Sequence, residues 1–302
     1  MDIIFYLLGV IFAILSGILN NYGTVLQKKV VNKFRENPKF MTSLIKNPLW
    51  LFGLVLQIII GGIFFFIAQL YIGPTLIPGL MGAGLIVLAI GSVKIVGEEL
   101  KFSEVIGIIL MVIAIALIGF SNMAIDVNAQ NFLDLNLILR IFLFTTILYI
   151  LAAIFYYMQL KNVYPGLSLA IYSGFMFALS NFWISPLMGV IASIFGGLAH
   201  PIEIILFIVS LGFLALTNVF GTTTIQKSFR VGQASNLIPI QQVPIQIAPV
   251  FYFLSVYLLQ IPNLLSLFFL ITGIGLVIIS SFLLGKRQTQ IEKLEFEKLE
   301  QT

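Results

Sequence analysis

Long apolar runs alternate with short polar breaks along the whole chain. The runs cover residues 3–27, 49–72, 75–96, 105–121, 137–160, 167–193, 204–226, 235–258 and 265–285. Each approaches the roughly 20 apolar residues that a helix needs to cross a bilayer. A transmembrane barrel would instead show alternating strands of about 10 residues. The pattern therefore predicts an all-α polytopic membrane protein of about nine helices, because only helices satisfy their own backbone within such runs. Only Asp2 precedes the first run, which continues into Asn20, Asn21 and Gln27. It reads as a retained first helix and not as a cleaved signal peptide.

Composition narrows the class. The chain of 302 residues is 60% hydrophobic and 9% charged, against about 25% charged in a soluble domain. That leaves too little polar surface for a soluble enzyme, a nucleic-acid binder or a disordered chain. The polar stretches 28–47, 121–136 and 286–302 each fall short of the roughly 50 residues of an independent domain. Cysteine is absent, which removes a disulfide framework, a thiolate metal site and a cysteine nucleophile.

Charge placement adds direction. Of the 16 Lys and Arg residues, all but Arg140 fall in alternate polar breaks: 28–46, 94–101, Lys161, 227–230 and the tail from Lys286. This is the positive-inside pattern. It predicts an N-terminus outside, a cytosolic C-terminus and hence an odd number of crossings. A faint internal repeat accompanies it. Leu76-Ile77-Pro78 recurs as Leu237-Ile238-Pro239, each opening an apolar helix that a short loop joins to a final Gly-bearing helix. The two copies would run in opposite directions across the membrane, as in many secondary transporters. The expected layout is a first repeat over 1–122, a second over 137–285 and a cytosolic tail over 286–302.

Intramembrane ionisable groups are functional candidates by default, but all 12 acids fall outside the expected helix centres. This argues against a carboxylate proton relay or an acidic cation cage. Neutral amides and hydroxyls remain, and each must face protein or a cavity because burial in lipid is costly. The cavity candidates are Asn20, Gln57, Gln69, Asn181, Thr217, Asn218, Gln242 and Gln246; ordinary interhelical hydrogen bonding is the competing reading of each. Pro78, Pro239, Pro244 and Pro249 are expected kinks that free carbonyls toward a wet site, or simple packing kinks. The only histidine, His200, has no nearby Cys or paired acid, so no metal site, cofactor or catalytic set is expected.

Residues 72–120, IGPTLIPGLMGAGLIVLAIGSVKIVGEELKFSEVIGIILMVIAIALIGF, resemble the end of an EamA-type repeat of the drug/metabolite transporter superfamily. Residues 226–285, from QKSFRVGQASNLIPIQQVPIQIAPV onward, look like a second copy. The nine-helix count and the Gln27-Lys28-Lys29 exit from helix 1 are similar to the NIPA-like branch, whose members are described as magnesium transporters. Gly61 and Phe64 stand where that branch carries an acid and an Asn in helix 2. The resemblance implies a transporter of the multi-pass cell-membrane type, for a small polar or amphipathic solute. A magnesium or other divalent-cation transporter, and a non-transporting scaffold or receptor, are the alternatives. Expected partners are membrane lipid and a small-molecule or ion substrate, with no nucleic acid; a homodimer is left open. No enzyme activity is expected, since no nucleophile–base pair is visible.

Overall fold

The computed structural model describes residues 3–72, 77–121, 123, 125, 130–197 and 199–300, excluding the side chains of 3, 69, 70, 78, 79 and 295–300. Among them there are helices and turns and no strands. The helices are α1 (Ile3–Lys33), α2 (Phe40–Ile45), α3 (Pro48–Leu54), α4 (Gly61–Ile72), α5 (Ile77–Met81) and α6 (Gly84–Gly91). They continue as α7 (Phe102–Phe120), α8 (Leu135–Leu160), α9 (Pro165–Phe195), α10 (Pro201–Ser228), α11 (Ala234–Phe251) and α12 (Leu264–Glu300). A π-helical turn, Val55–Ile60, joins α3 to α4 as one rod; others, Ser92–Val96 and Tyr252–Val256, end α6 and α11.

Among the described residues, eight helices are long and apolar enough to cross a membrane, the architecture of a polytopic helical membrane protein. The third expected crossing, 75–96, is broken. It appears as α5, a turn at Gly82-Ala83, and α6 with its π turn. Glycines at 82 and 84 weaken the helix there. The segment still travels the bundle, since α4 ends beside Gly9 and the π turn ends beside Lys28. Other bounds shift less. α1 runs past Gln27 to Lys33, and α12 continues without a break to Glu300.

Helix starts follow local chemistry where caps are present. Asn47 accepts from the amides of Leu49 and Trp50, with Pro48 at the first helical position. Asp134 caps α8. His200 Nδ1 accepts from Ile202 N–H, and Glu203 accepts from His200 N–H, so the lone histidine is half of a capping box.

The backbone repeats. Ser16 Oγ donates to the Gly61 carbonyl at 2.8 Å, and Ser173 Oγ to the Gly221 carbonyl at 2.7 Å. Gly17 packs on Met81, and Gly174 on Gln241 and Pro244. Both π turns close with the same bond: Glu98 N–H to Ser92 O at 2.9 Å, and Leu259 N–H to Phe253 O at 3.1 Å. A left-handed residue sits at each close, Gly97 at φ 81° and Leu258 at φ 52°. These residues are as far apart in the chain as Leu76 and Leu237. The matched features run from α1 to α7 and from α9 to α12; α8, expected within a second repeat over 137–285, lies between them. The copies are inverted: α7 packs antiparallel on α12, with Gly107 against Leu284 and Ile118 against Gly273.

Candidate functional site

The bundle gathers its charge at one end. Lys28 Nζ donates to the carbonyls of Phe229 and Gly232 at 2.5 and 2.6 Å, and lies 3.9 Å from Glu98. Glu98 accepts from Ala234 N–H (2.7 Å), Ser235 N–H (3.0 Å) and Ser235 Oγ (2.7 Å), which caps the start of α11. Glu104 accepts from Asn236 Nδ2 at 2.6 Å and from Lys101 N–H, with Arg287 3.8 Å away. Glu292 accepts from Gly166 and Leu167 N–H and from Gln288, so it caps α9. Lys28, Glu98, Glu104 and Glu292 are all buried. The acid census of the sequence assigned these glutamates to the membrane rim. The structure places them at that end of the bundle but inside the protein, where hydrogen bonds compensate their desolvation.

Immediately above this cluster lies a chain of amides. Trp50 Nε1 donates to Gln226 Oε1 at 3.2 Å; Gln226 Nε2 donates to Gln27 Oε1; Gln27 Nε2 donates to Gln57 Oε1 at 2.7 Å. The Asn47 cap and Pro48 fix the start of the helix that carries Trp50, and the π turn carries Gln57. Beside the chain is a cavity of about 20 Å3, room for about one water. Thr24, Gln27 and Gln57 line it from the first copy, and Phe177, Thr222, Ile225, Gln226, Phe229, Ile238 and Gln241 from the second. None of these side chains is ionisable. Gln241 Nε2 donates to Ser173 Oγ at 2.7 Å. The cavity thus presents amide donors and acceptors between two Phe rings, on the seam between inverted copies.

Of the candidates read from sequence, Gln57 lines this cavity. Gln242 does not; it accepts from Gln246 Nε2 at 3.2 Å, and its neighbour Gln241 takes the inward position. Asn20 is half-buried on α1 and its carbonyl accepts from Thr24 Oγ1. Thr217 is buried, with its hydroxyl donating to Phe213 O on its own helix. Asn218 donates to Ser180 Oγ at 2.6 Å and to Leu214 O. Asn181 is exposed on the bundle surface. The side chains of Gln69 and Pro78 lie outside the described residues. Pro239, Pro244 and Pro249 sit inside α11, which nevertheless runs on as helix from Ala234 to Phe251.

Sequence reasoning passed over Gln226, Gln241, Trp50 and Thr222. One signal was available for Gln241. Ala234, Leu237, Ile238, Gln241, Pro244 and Ala248 recur at helical spacing and form the buried face of α11. Gln241 belongs to that stripe and Gln242 does not. Comparison with known proteins adds no identity: no family model, no curated protein and no solved structure matches this chain.

Proposed function

We propose that the chain is a secondary transporter of the drug/metabolite type, with its N-terminus outside and its C-terminus in the cytosol of the cell. It moves a small polar or amphipathic solute by alternating access. The observation that carries this reading is the amide-lined cavity on the seam between two inverted copies. Inverted copies exchange conformations when one half rocks against the other, and a site on their seam is then offered to each side in turn. The cavity as it stands admits about one water, so a solute enters only once the copies part; its donors and acceptors then pair with the amides, and Phe177 and Phe229 offer apolar faces. The same set lacks the carboxylates that magnesium prefers.

Purified protein in liposomes is expected to show counterflow of at least one member of a neutral-solute library. Magnesium uptake with no organic exchange would replace this reading with the divalent-cation one. Absence of any flux, together with full function in cells after Gln27→Leu and Gln226→Leu, would favour a scaffold. Reporters at residues 35 and 128 check the topology; both on one side would overturn it.

A further inference from the structure

Resting on the alternating-access reading, one question is which side the chain holds closed. The bonds between the copies concentrate at the charged end. There Lys28 reaches Phe229 and Gly232, Glu98 caps α11, Glu104 holds Asn236, and Arg230 donates to the Arg35 carbonyl. The apolar core behaves the same way. One buried cluster joins both copies around Val25, Leu88, Ile108, Phe229 and Leu237. Toward the other end, among the described residues, only the α7–α12 seam still joins the copies, with Ile118 on Gly273 and the rings of Phe120 and Phe269 6.4 Å apart; elsewhere the core divides. Ala13, Ala68 and Ile77 form a small core within the first copy, and a separate aromatic core around Phe182 and Trp183 lies within the second copy and α8.

The repeat makes the asymmetry sharper. Inverted copies carry the twin of each latch residue to the opposite end. By the spacing of the repeated backbone, the twin of Lys28 is Ser185, that of Glu98 is Leu259, and that of Glu104 is Leu265. The opposite end therefore has no ion pair and no borrowed helix cap at these positions. We propose that Lys28, Glu98 and the first turn of α11 form a latch that biases the resting protein toward closure at the charged end. Opening that end requires Glu98 to leave the amides of Ala234 and Ser235. The cavity is wired to it directly. Gln27 precedes Lys28 in the chain, and Phe229 both lines the cavity and gives its carbonyl to Lys28. A solute that displaces either residue acts on the latch through one covalent step.

The absence of native cysteine allows a direct test. A Thr222→Cys reporter faces the cavity and is treated with a charged, membrane-impermeant methanethiosulfonate on each face of oriented vesicles. Labelling from the charged-end face is expected to be slow in this background. Adding Glu98→Gln should accelerate it by about tenfold or more, the effect of losing one charge-assisted bond set. Adding Ser235→Ala should accelerate it less, in the same direction. Unchanged labelling in Ser235→Ala, and in Glu98→Gln where that variant folds, would overturn the latch; so would acceleration from the opposite face. The readout needs no solute. Faster labelling without any counterflow keeps the latch and removes the transporter reading, whereas counterflow with unchanged labelling does the reverse.

Discussion

The repeat makes a paired prediction at Gly17 and Gly174. A Cβ on Gly17 would lie 2.7 Å from the Met81 Cα and 2.8 Å from its carbonyl carbon. Carbon atoms pack best at about 3.5–4.0 Å, so α1 and α5 would have to separate by about 1 Å. The Met81 carbonyl oxygen is nearer still, and all three atoms are backbone and cannot rotate away. A Cβ on Gly174 meets the Gln241 carbonyl oxygen and, at 2.7 Å, the Pro244 ring. Overpacking of this kind costs about 1–3 kcal/mol, offset by the roughly 1 kcal/mol that Ala gains over Gly within a helix. Gly62 and Gly275 have no neighbour within 4 Å of such a Cβ, so Ala there should only gain. The thermal midpoint in detergent is therefore expected to fall by a few degrees in Gly17→Ala and in Gly174→Ala, and to hold or rise in Gly62→Ala and Gly275→Ala. Equal midpoints across all four would refute the close approach at both sites.

Gln241→Leu should reduce counterflow by about tenfold or more, because it removes a buried bond to Ser173 and an amide that lines the cavity, while Gln242→Leu, which loses only its contact with Gln246, should stay within about threefold; initial rates in liposomes decide. Gln27→Leu strands the Nε2 of Gln226 and the Oε1 of Gln57, and should cost about 1–3 kcal/mol of stability, seen as a lowered unfolding midpoint. Asn181→Leu should be neutral or stabilising, since the side chain is exposed on an apolar bundle; a loss of transport with the fold intact would restore Asn181 to the site. Glu292→Gln weakens the cap on α9 and should speed amide hydrogen exchange at Gly166 and Leu167 before it affects the rest of the chain.

Elements whose cause is local were legible in the sequence. Continuous apolar runs became helices. The charged residues of alternate breaks do meet at one end, as Lys28, Arg35, Arg230 and Arg287 show. What sequence could not supply depends on distant partners. Gln57 counts as a cavity residue only because Gln27 and Gln226 arrive from two other helices. Gln241 and Gln242 are identical in type and adjacent, and what distinguishes them is a distant partner, the Ser173 hydroxyl on α9 that accepts from Gln241. Glu98 follows a glycine in a short polar break, where a solvated surface acid is the ordinary expectation. Nothing near it in sequence announces that α11 will bring its first turn there.

Helix caps show why that distant contact matters. α3, α8 and α10 take side-chain caps from their own sequence, at Asn47, Asp134 and His200. These starts stay satisfied wherever the helices move. α9 and α11 have no side-chain cap of their own, and each borrows a glutamate. The loan to α9 comes from α12, inside the same copy, so rocking of the copies leaves it in place. The loan to α11 comes from Glu98, across the seam. Separating the copies at that end exposes the first amides of α11 and takes Lys28 away from the carbonyls of Phe229 and Gly232, both penalties that water must then relieve. Closure at the charged end is thus favoured by a cap that cannot follow its helix. A solute can shift that balance only by binding the open form more tightly than the closed one.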